Sequence, residues 1–365
     1  MHTEHFETVI IGAGQAGLAT GYRLQQAGRP FVILDAESRV GDGWRAQWDS
    51  LRLYSPAQLD GLPGMPMQAP TWSFPTKDEF ADFLESYAAR FQLPVRLSTR
   101  VGGLTAAPGG SGYLVSTDGG QLHADHVVVA TGTFGRTPHV PAFADRLDPS
   151  ILQLHSSEYR RPSQLPAGPV LVVGASHSGC DIAYELAATL PTTLAGRDIG
   201  QLPVPFSSPA AKALLPAMFF VFGHVLTRRT PMGRRAMEEF RLHGGLRLRV
   251  QTKDLAERGV DWVQERVTGV DDGRPVVGGR GPVEVSSVVW CTGFRQDFGW
   301  VDLDIFDEHG WPQEVGGVVE KAAGLYFMGL GFQSSARSML ISGASHDSAH
   351  VARQILAGSQ VPAAA

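Results

Sequence analysis

The residues near the amino terminus have the types and spacing to hold a dinucleotide. Gly12-Ala13-Gly14-Gln15-Ala16-Gly17 is a G-x-G-x-x-G loop, and Asp35 follows 18 residues past its last glycine. The glycines let the backbone turn sharply and approach a pyrophosphate. A helix starting near Ala16 points free N–H groups and positive dipole at the same phosphates. The Asp35 carboxylate is placed to accept hydrogen bonds from ribose hydroxyls. The glycine motif alone is weak, and its context gives it force. The apolar run Val9-Ile10-Ile11 precedes it, and Leu18, Ala19, Tyr22 and Leu24 continue at helical spacing. Phe31 to Leu34 is a second apolar run that ends in the acid. Strand, turn, helix, strand, acid is the order such a site requires.

The pattern recurs. Val170 to Val173 leads into Gly174-Ala175-Ser176-His177-Ser178-Gly179, with serine at the middle glycine position. Ile182, Ala183, Leu186 and Ala187 mark the helix, and Thr192 to Ala195 the next strand. Arg197 then lies 18 residues past Gly179, the offset that Asp35 has from Gly17. An acid suits free ribose hydroxyls, whereas an arginine suits the extra phosphate of NADP, which an acid repels. The other reading of Arg197 is a solvated surface residue. A second echo joins the two units. His126 to Ala130 runs into Thr131-Gly132, and Val288 to Cys291 runs into Thr292-Gly293. Both read as a buried strand with the same kind of end.

The elements that position these loops follow from the rest of the chain. At 365 residues, 43% hydrophobic and 18% charged, it is long and apolar enough for two or three domains. The net charge of −5 argues against a general nucleic-acid binder. The two cysteines, Cys180 and Cys291, are far apart in sequence and there is no C-x-x-C, so neither a disulfide framework nor a redox dithiol is expected. The start of the chain has no basic segment followed by an apolar stretch, so no signal peptide is expected. The apolar run Ala213 to Leu226 is too short and broken for a membrane span. The expected location is the cytoplasm. Gly41-Asp42-Gly43-Trp44-Arg45 opens a long aromatic and proline-rich stretch to Pro75. It reads as a wrap around the core or as a cover over a flat aromatic cofactor, with Trp44 and Tyr54 near the ring. Thr76-Lys77-Asp78-Glu79 fits a helix capping box, and Phe80, Phe83, Leu84, Tyr87, Ala88 and Phe91 form the buried stripe of that helix. Val95 to Leu97, Tyr113 to Ser116 and Gln121 to His123 read as a short meander. Between residues 228 and 249 seven arginines and two acids give a local charge of +5. This reads as a solvated basic face, with an electrostatic funnel for an anion or a membrane-surface contact as the sharper alternatives. Leu325 to Gly331 reads as a strand and turn, and a helix follows from Ser342.

Over nearly its whole length the chain resembles the class B flavin-dependent monooxygenases and their bacterial relatives. The two glycine loops resemble that family's FAD and NADPH motifs, and Ala130-Thr131-Gly132 its linker. Leu51-Arg52-Leu53-Tyr54-Ser55-Pro56, Pro75-Thr76-Lys77-x-x-Phe80 and Leu84-Glu85-Ser86-Tyr87-Ala88 are most similar to the plant auxin-forming YUCCA group. His155 and Tyr159 match the end of the F-x-G-x-x-x-H-x-x-x-[YF] fingerprint, whose first two fixed positions hold Pro149 and Ile151 here. Tyr159-Arg160 stands where Baeyer–Villiger enzymes carry Trp with Pro or Asp, so ketone insertion is disfavoured. The resemblance implies an α/β fold of two Rossmann-like domains, the second inserted into the first. The expected bounds are 1–160 and 288–365 for the FAD domain and 161–287 for the NADPH domain. It implies FAD and NADPH as cofactors, and transfer of one oxygen atom of O2 to a small organic substrate through a C4a-peroxyflavin. Tyr54, at the place of an asparagine in many relatives, is the expected catalytic donor. The expected cofactor-binding residues are Gly12, Gly14, Gln15, Ala16, Gly17, Asp35, Gly43, Trp44, Arg45, Thr131, Gly132, Gly174, Ser176, His177, Ser178, Gly179, Arg197, Thr292, Gly293 and Gly329. That chemistry needs no Ser–His–Asp triad and no metal. His155, His177 and His346 read as satisfied structural histidines and Cys180 as helix packing. A dimer is the default assembly. The alternatives are an NADPH-linked flavin reductase, oxidase or dehydrogenase, and a flavoprotein that senses redox state.

Overall fold

The computed structural model describes residues 4–132, 137–205, 208–242 and 244–358. Its organising strand is Glu4–Ile11, in which Val9, Ile10 and Ile11 are buried on both faces. A strand covered on both sides must satisfy its backbone within a sheet, and this one pairs in parallel with Phe31–Leu34 and with Gly120–Val129. Among the described residues this first sheet has seven strands, completed by Val95–Arg96, Tyr113–Thr117, Val101–Ala106 and Leu325–Phe327. Helix Gln15–Gln26 packs against it together with the carboxy-terminal helix Ile341–Gly358. The capping box at Thr76 is present. Its side chain accepts from the Glu79 N–H and helix Lys77–Arg90 buries Phe80, Phe83, Leu84, Tyr87 and Ala88, as the stripe predicts.

The meander differs from the sequence reading in two ways. Gly120–Val129 is one continuous strand rather than two, and Val95–Arg96 pairs in parallel with Phe31–Leu34. Tyr113–Thr117 pairs antiparallel with Gly120–Val129 on one side and on the other with Val101–Ala106, whose Gly102-Gly103 pair hides its strand character behind a register shift.

The second sheet is all parallel, in the order Asp261–Val263, Thr192–Ala195, Val170–Val173, Ser287–Trp290, Leu152–His155. The chain enters it from the first sheet and returns to that sheet at Leu325–Phe327, so the second Rossmann-like domain is inserted into the first. Leu152–His155, expected in the FAD domain, and Ser287–Trp290, which straddles the expected boundary at 287/288, both pair in the second sheet. The two passages between the sheets lie together. After Gly132 the chain reaches Thr137–Pro138, after Gly293 it forms Phe294–Arg295, and these two short strands pair antiparallel. The echo in the sequence thus marks the two points at which the chain leaves a sheet.

The arginine-rich stretch is not the solvated face expected of it. Arg228 pairs with Glu314, and Arg241 reaches the same carboxylate at 3.1 Å, with the Glu314 side chain 0% exposed. Arg247 is 1% exposed and pairs with Asp198 at 3.1 Å, and Arg249 reaches Asp181 at 3.5 Å. Arg229, Arg234 and Arg235 remain exposed. A count of neighbouring charges cannot see acids that arrive from distant parts of the chain. Among the described residues no helix is long and apolar enough to cross a membrane.

Candidate active site

The two glycine loops are the same construction used twice. Gly12 and Gly174 both have φ of +110°, which favours glycine. The Gly12 N–H donates to Leu34 O at 2.7 Å and the Gly174 N–H to Ala195 O at 2.8 Å. A Cβ on Gly12 would lie 2.6 Å from Ala130 O, and one on Gly174 would collide with Cys291 O. Likewise a Cβ on Gly17 or Gly179 would run into the carbonyl of Gly12 or Gly174. The strand ends match too, since Ala130 donates to Ile11 O and Cys291 to Val173 O, each at 2.8 Å.

Around the first loop the structure gathers most of the expected residues. Asp35 Oδ2 accepts from the Ala13 N–H at 2.5 Å, and its Oδ1 from the Glu37 N–H at 2.8 Å. Gly14 caps helix Gln15–Gln26 with no side-chain cap, and a Cβ there would meet nothing within 4 Å. Trp44 Nε1 donates to Gln15 Oε1 at 3.3 Å, and a Cβ on Gly329 would lie 3.2 Å from the Ala16 Cβ. A Cβ on Gly12 would sit 3.4 Å from the Thr131 Cα, which places Thr131 and Gly132 on the same rim. A Cβ on Gly43 would likewise meet nothing within 4 Å. Arg45 goes elsewhere. Its guanidinium bonds Val40 O at 2.8 Å and Asp82 at 2.7 Å, with Asp42 and Glu85 beside it.

The second loop is covered rather than open. The Ser176 hydroxyl donates to Gly245 O at 3.1 Å, and a Cβ on Gly244 would lie 2.5 Å from Ser176 Oγ. Gly245 lies against the His177 ring, where a Cβ would be 3.1 Å from Cε1. Gly179 closes the loop, and Ser178 lies in the first turn of the helix His177–Leu186. Arg197 is exposed. It is not the structural counterpart of Asp35. The Asp35 N–H donates to Arg96 O at 2.9 Å, and it is the Gly196 N–H that repeats this, to Val263 O at 3.0 Å. The connection from Gly174 to Ala195 is one residue shorter than that from Gly12 to Leu34, so equal offsets conceal a one-residue shift. The acid's place is therefore taken by a glycine, and the arginine follows it.

Tyr54 stands between the units. Its hydroxyl donates to Asp181 Oδ2 at 2.9 Å, on the helix of the second loop, and its ring lies 4.7 Å from that of His177. Burial and the neighbouring Asp181 hold the phenol well above its ordinary pKa. Burial pushes Asp181 up to about 6 against the pull of Arg249 and the Tyr54 hydrogen bond. Burial pushes His177 down to about 4 against a backbone hydrogen bond at Leu246, and its Nε2 is buried with no partner, so this ring is satisfied only in part. His155 is satisfied. Its Nδ1 meets Ser157 Oγ at 2.9 Å and its Nε2 meets Gly293 O at 3.0 Å. His346 Nδ1 meets Asp347 at 3.0 Å. The Thr292 hydroxyl donates to His139 O and the His139 N–H to Gly293 O at 2.9 Å, so Thr292 and Gly293 secure the passage between the sheets. Cys180 is buried in its helix, its thiol pushed up to about 12, and burial raises Cys291 also. Neither is a ready thiolate. Sequence reasoning missed Asp181 and the Gly244-Gly245 cover. Aligning the two loops exposes the first, because Asp181 falls where the first helix has Ala19.

Two such loops on two Rossmann-like sheets define an oxidoreductase that handles two dinucleotides. The profile of the family described as pyridine nucleotide-disulphide oxidoreductase matches residues 9–198. An uncharacterised CzcO-like oxidoreductase of Geobacillus kaustophilus is 34% identical over 96% of this chain and 98% of its own. The rice indole-3-pyruvate monooxygenase YUCCA1 is 33% identical over 49% of this chain and 44% of its own. The flavin-containing monooxygenase from Stenotrophomonas maltophilia superposes with a TM-score of 0.76 at 27% identity, over 97% of this chain and 99% of that one. The chain belongs to the pyridine nucleotide-disulphide oxidoreductase family, among its class B flavin monooxygenases, and is a flavin-dependent oxidoreductase.

Proposed function

We propose that the protein is an NADPH-dependent FAD monooxygenase that transfers one oxygen atom of O2 to a small organic substrate. The observation that carries this reading is the pair of matched loops, one ending in an acid and the other in Gly196-Arg197, bridged by the Tyr54–Asp181 hydrogen bond. FAD fits the first loop, which protein closes at Gly12 and Gly17 and leaves open at Gly14. Gly12, Gly14, Gln15, Ala16 and Gly17 would cradle its pyrophosphate, Asp35 its ribose, and Gly43, Trp44, Thr131, Gly132 and Gly329 border the same space. NADPH is assigned to the second loop, with Gly174, Ser176, His177, Ser178 and Gly179 at its pyrophosphate and Arg197 at its extra phosphate once the Gly244-Gly245 segment that covers Ser176 gives way. Gly196 leaves no carboxylate there to repel that phosphate. Bound flavin supplies acceptance of the hydride and activation of O2.

The chain's own residues supply position and dryness. The loop N–H groups and helix starts bind the phosphates. Trp44 and Tyr54 pack where the two units meet and exclude water. The Tyr54 hydroxyl can turn its one proton to a bound group only when Asp181 is itself protonated and donates to the phenol oxygen.

One observation favours a reductase or oxidase instead, since the Tyr54 proton is already committed to Asp181. A disulfide-reductase reading finds no dithiol, because the chain has two cysteines and both are free. The deciding experiment gives purified, FAD-loaded protein NADPH and air with candidate amines, sulfides and 2-oxo acids. An oxygenated product, with less hydrogen peroxide than NADPH consumed, supports oxygen transfer. Peroxide released one-for-one with NADPH in every case gives the oxidase reading the field.

A further inference from the structure

We propose that His5, His123 and Asp125 form a divalent-metal site suited to Zn2+, at the end of the first sheet remote from the glycine loops. The backbone sets it up. In the parallel ladder between Glu4–Ile11 and Gly120–Val129, His5 is the direct register partner of His123. His123 and Asp125 are two apart on one strand, so their side chains leave the same face. Two residues of one strand and the partner of one of them on the next make a three-ligand cluster on the most rigid part of a fold. One ligand atom from each residue lies within 4.8 Å of the others. His5 Nε2 and Asp125 Oδ1 are already 3.0 Å apart, and the two imidazoles stack at 5.1 Å. Ligands of a tetrahedral Zn2+ at ~2.0–2.2 Å sit about 3.4 Å from one another. Small rotations of half-exposed side chains cover that difference.

The His123 ring carries the second observation. Its Nε2 lies 3.2 Å from Ser111 O, a partner that can only accept, so the ring proton belongs there. Nδ1 is then the lone-pair nitrogen, and it is buried with no hydrogen-bond partner. A carbonyl holding one ring nitrogen while the other offers its lone pair is how metal-bound histidines are oriented. An ordinary His5–Asp125 surface pair explains two of the three residues and leaves the His123 nitrogen stranded. Glu7, next along the face of the first strand, is taken by Arg29 at 2.6 Å and does not join. Two imidazoles and one carboxylate, with a fourth position open to water, form a borderline donor set that suits Zn2+. The cluster spans the amino-terminal part of Glu4–Ile11, whereas Gly12 follows its carboxyl end, so the metal is a staple across two central strands and takes no part in the flavin chemistry. The inference is independent of the proposed monooxygenase activity.

The test uses the full chain, flavin-loaded and stripped with a chelator. Titration with Co2+ should give a single-equivalent visible band of tetrahedral type, displaced by Zn2+. Calorimetry with Zn2+ should show one site, weakened ~10-fold or more in His123→Ala. Zn2+ should also raise the thermal midpoint of the unmutated protein and not of the variant. Because His123 is partly buried, His5→Ala at the exposed end is the second variant, with unchanged flavin absorbance as proof of folding. Binding that neither variant weakens, or no uptake by the unmutated protein, overturns the site.

Discussion

The first glycine loop is open and tied to an acid, and the second is covered and tied to none. Their backbones superpose hydrogen bond for hydrogen bond, so the difference lies in what the sequence hangs on a shared frame. Gly14 faces space where Ser176 is bonded to Gly245. Asp35 corresponds to Gly196, and Ala19, in the core, corresponds to the buried acid Asp181. Gly196 in place of Asp35 removes negative charge where a second phosphate would lie, Ser176 adds a polar contact within the second unit, and Asp181 adds one between the units. One frame can thus be specialised for a cofactor that stays and for one that comes and goes.

The largest expected effect tests the open loop. Gly14→Val puts its side chain into empty space, so the protein should fold. It should nonetheless lose its flavin, because the branched side chain takes the room of the pyrophosphate. Gly17→Val is the contrast. Its Cβ would strike the Gly12 carbonyl, so folding itself should fail. Flavin absorbance per protein, read beside circular dichroism, separates the two. Full flavin occupancy in the Gly14 variant would mean that the open loop is not the flavin site.

The next effect tests the charge difference. Arg197→Ala should weaken NADPH roughly tenfold or more and leave NADH nearly unchanged, since a charge-assisted contact is worth ~1.5–3 kcal/mol. Michaelis constants for the two nucleotides decide it. If both change together, Arg197 is a surface residue and Gly196 alone sets the preference.

How much of this could be read in the sequence differs between the loops for a physical reason. The first site was legible because its parts are local: strand, loop, helix, strand and acid follow one another within Val9 to Asp35. The two-domain fold was legible because the motif recurs. The one-residue shift at Arg197 was not, because an offset counts residues while a register is set by hydrogen bonds. Nor were the inward arginines, the Gly244-Gly245 cover or the Tyr54–Asp181 contact. Each joins residues far apart in the chain, and Asp181 reads in isolation as an ordinary polar residue of an amphipathic helix. The cofactor role expected of Arg45 has the same origin, since its carboxylate partners Asp82 and Glu85 lie on a later helix.

A smaller effect tests the bridge between the loops. Tyr54→Phe keeps the ring against His177 and removes the hydroxyl that reaches Asp181. If the phenol is the oriented donor, the fraction of NADPH electrons lost as hydrogen peroxide should rise several-fold while flavin reduction by NADPH changes little. An unchanged peroxide fraction would leave Tyr54 as packing only.

The smallest effect concerns Asp181 itself, the one buried charge on the second helix. Burial raises its carboxyl from 3.8 to about 6, with Arg249 and Tyr54 pulling the other way. The folded protein therefore holds this proton more tightly than the unfolded chain does. As pH rises from about 4 to about 6 the unfolded chain ionises first, so the contribution of this group to stability falls across that window and is constant above it. Asp181→Asn keeps an acceptor for the Tyr54 hydroxyl but has no proton to lose. The melting temperature of the variant relative to the unmutated protein should therefore climb by a few degrees between those limits and then level off. Thermal melts at intervals across that range measure it. A difference that does not vary with pH would mean that Asp181 meets water in solution, and the two loops would then be alike in carrying no buried charge on their helices.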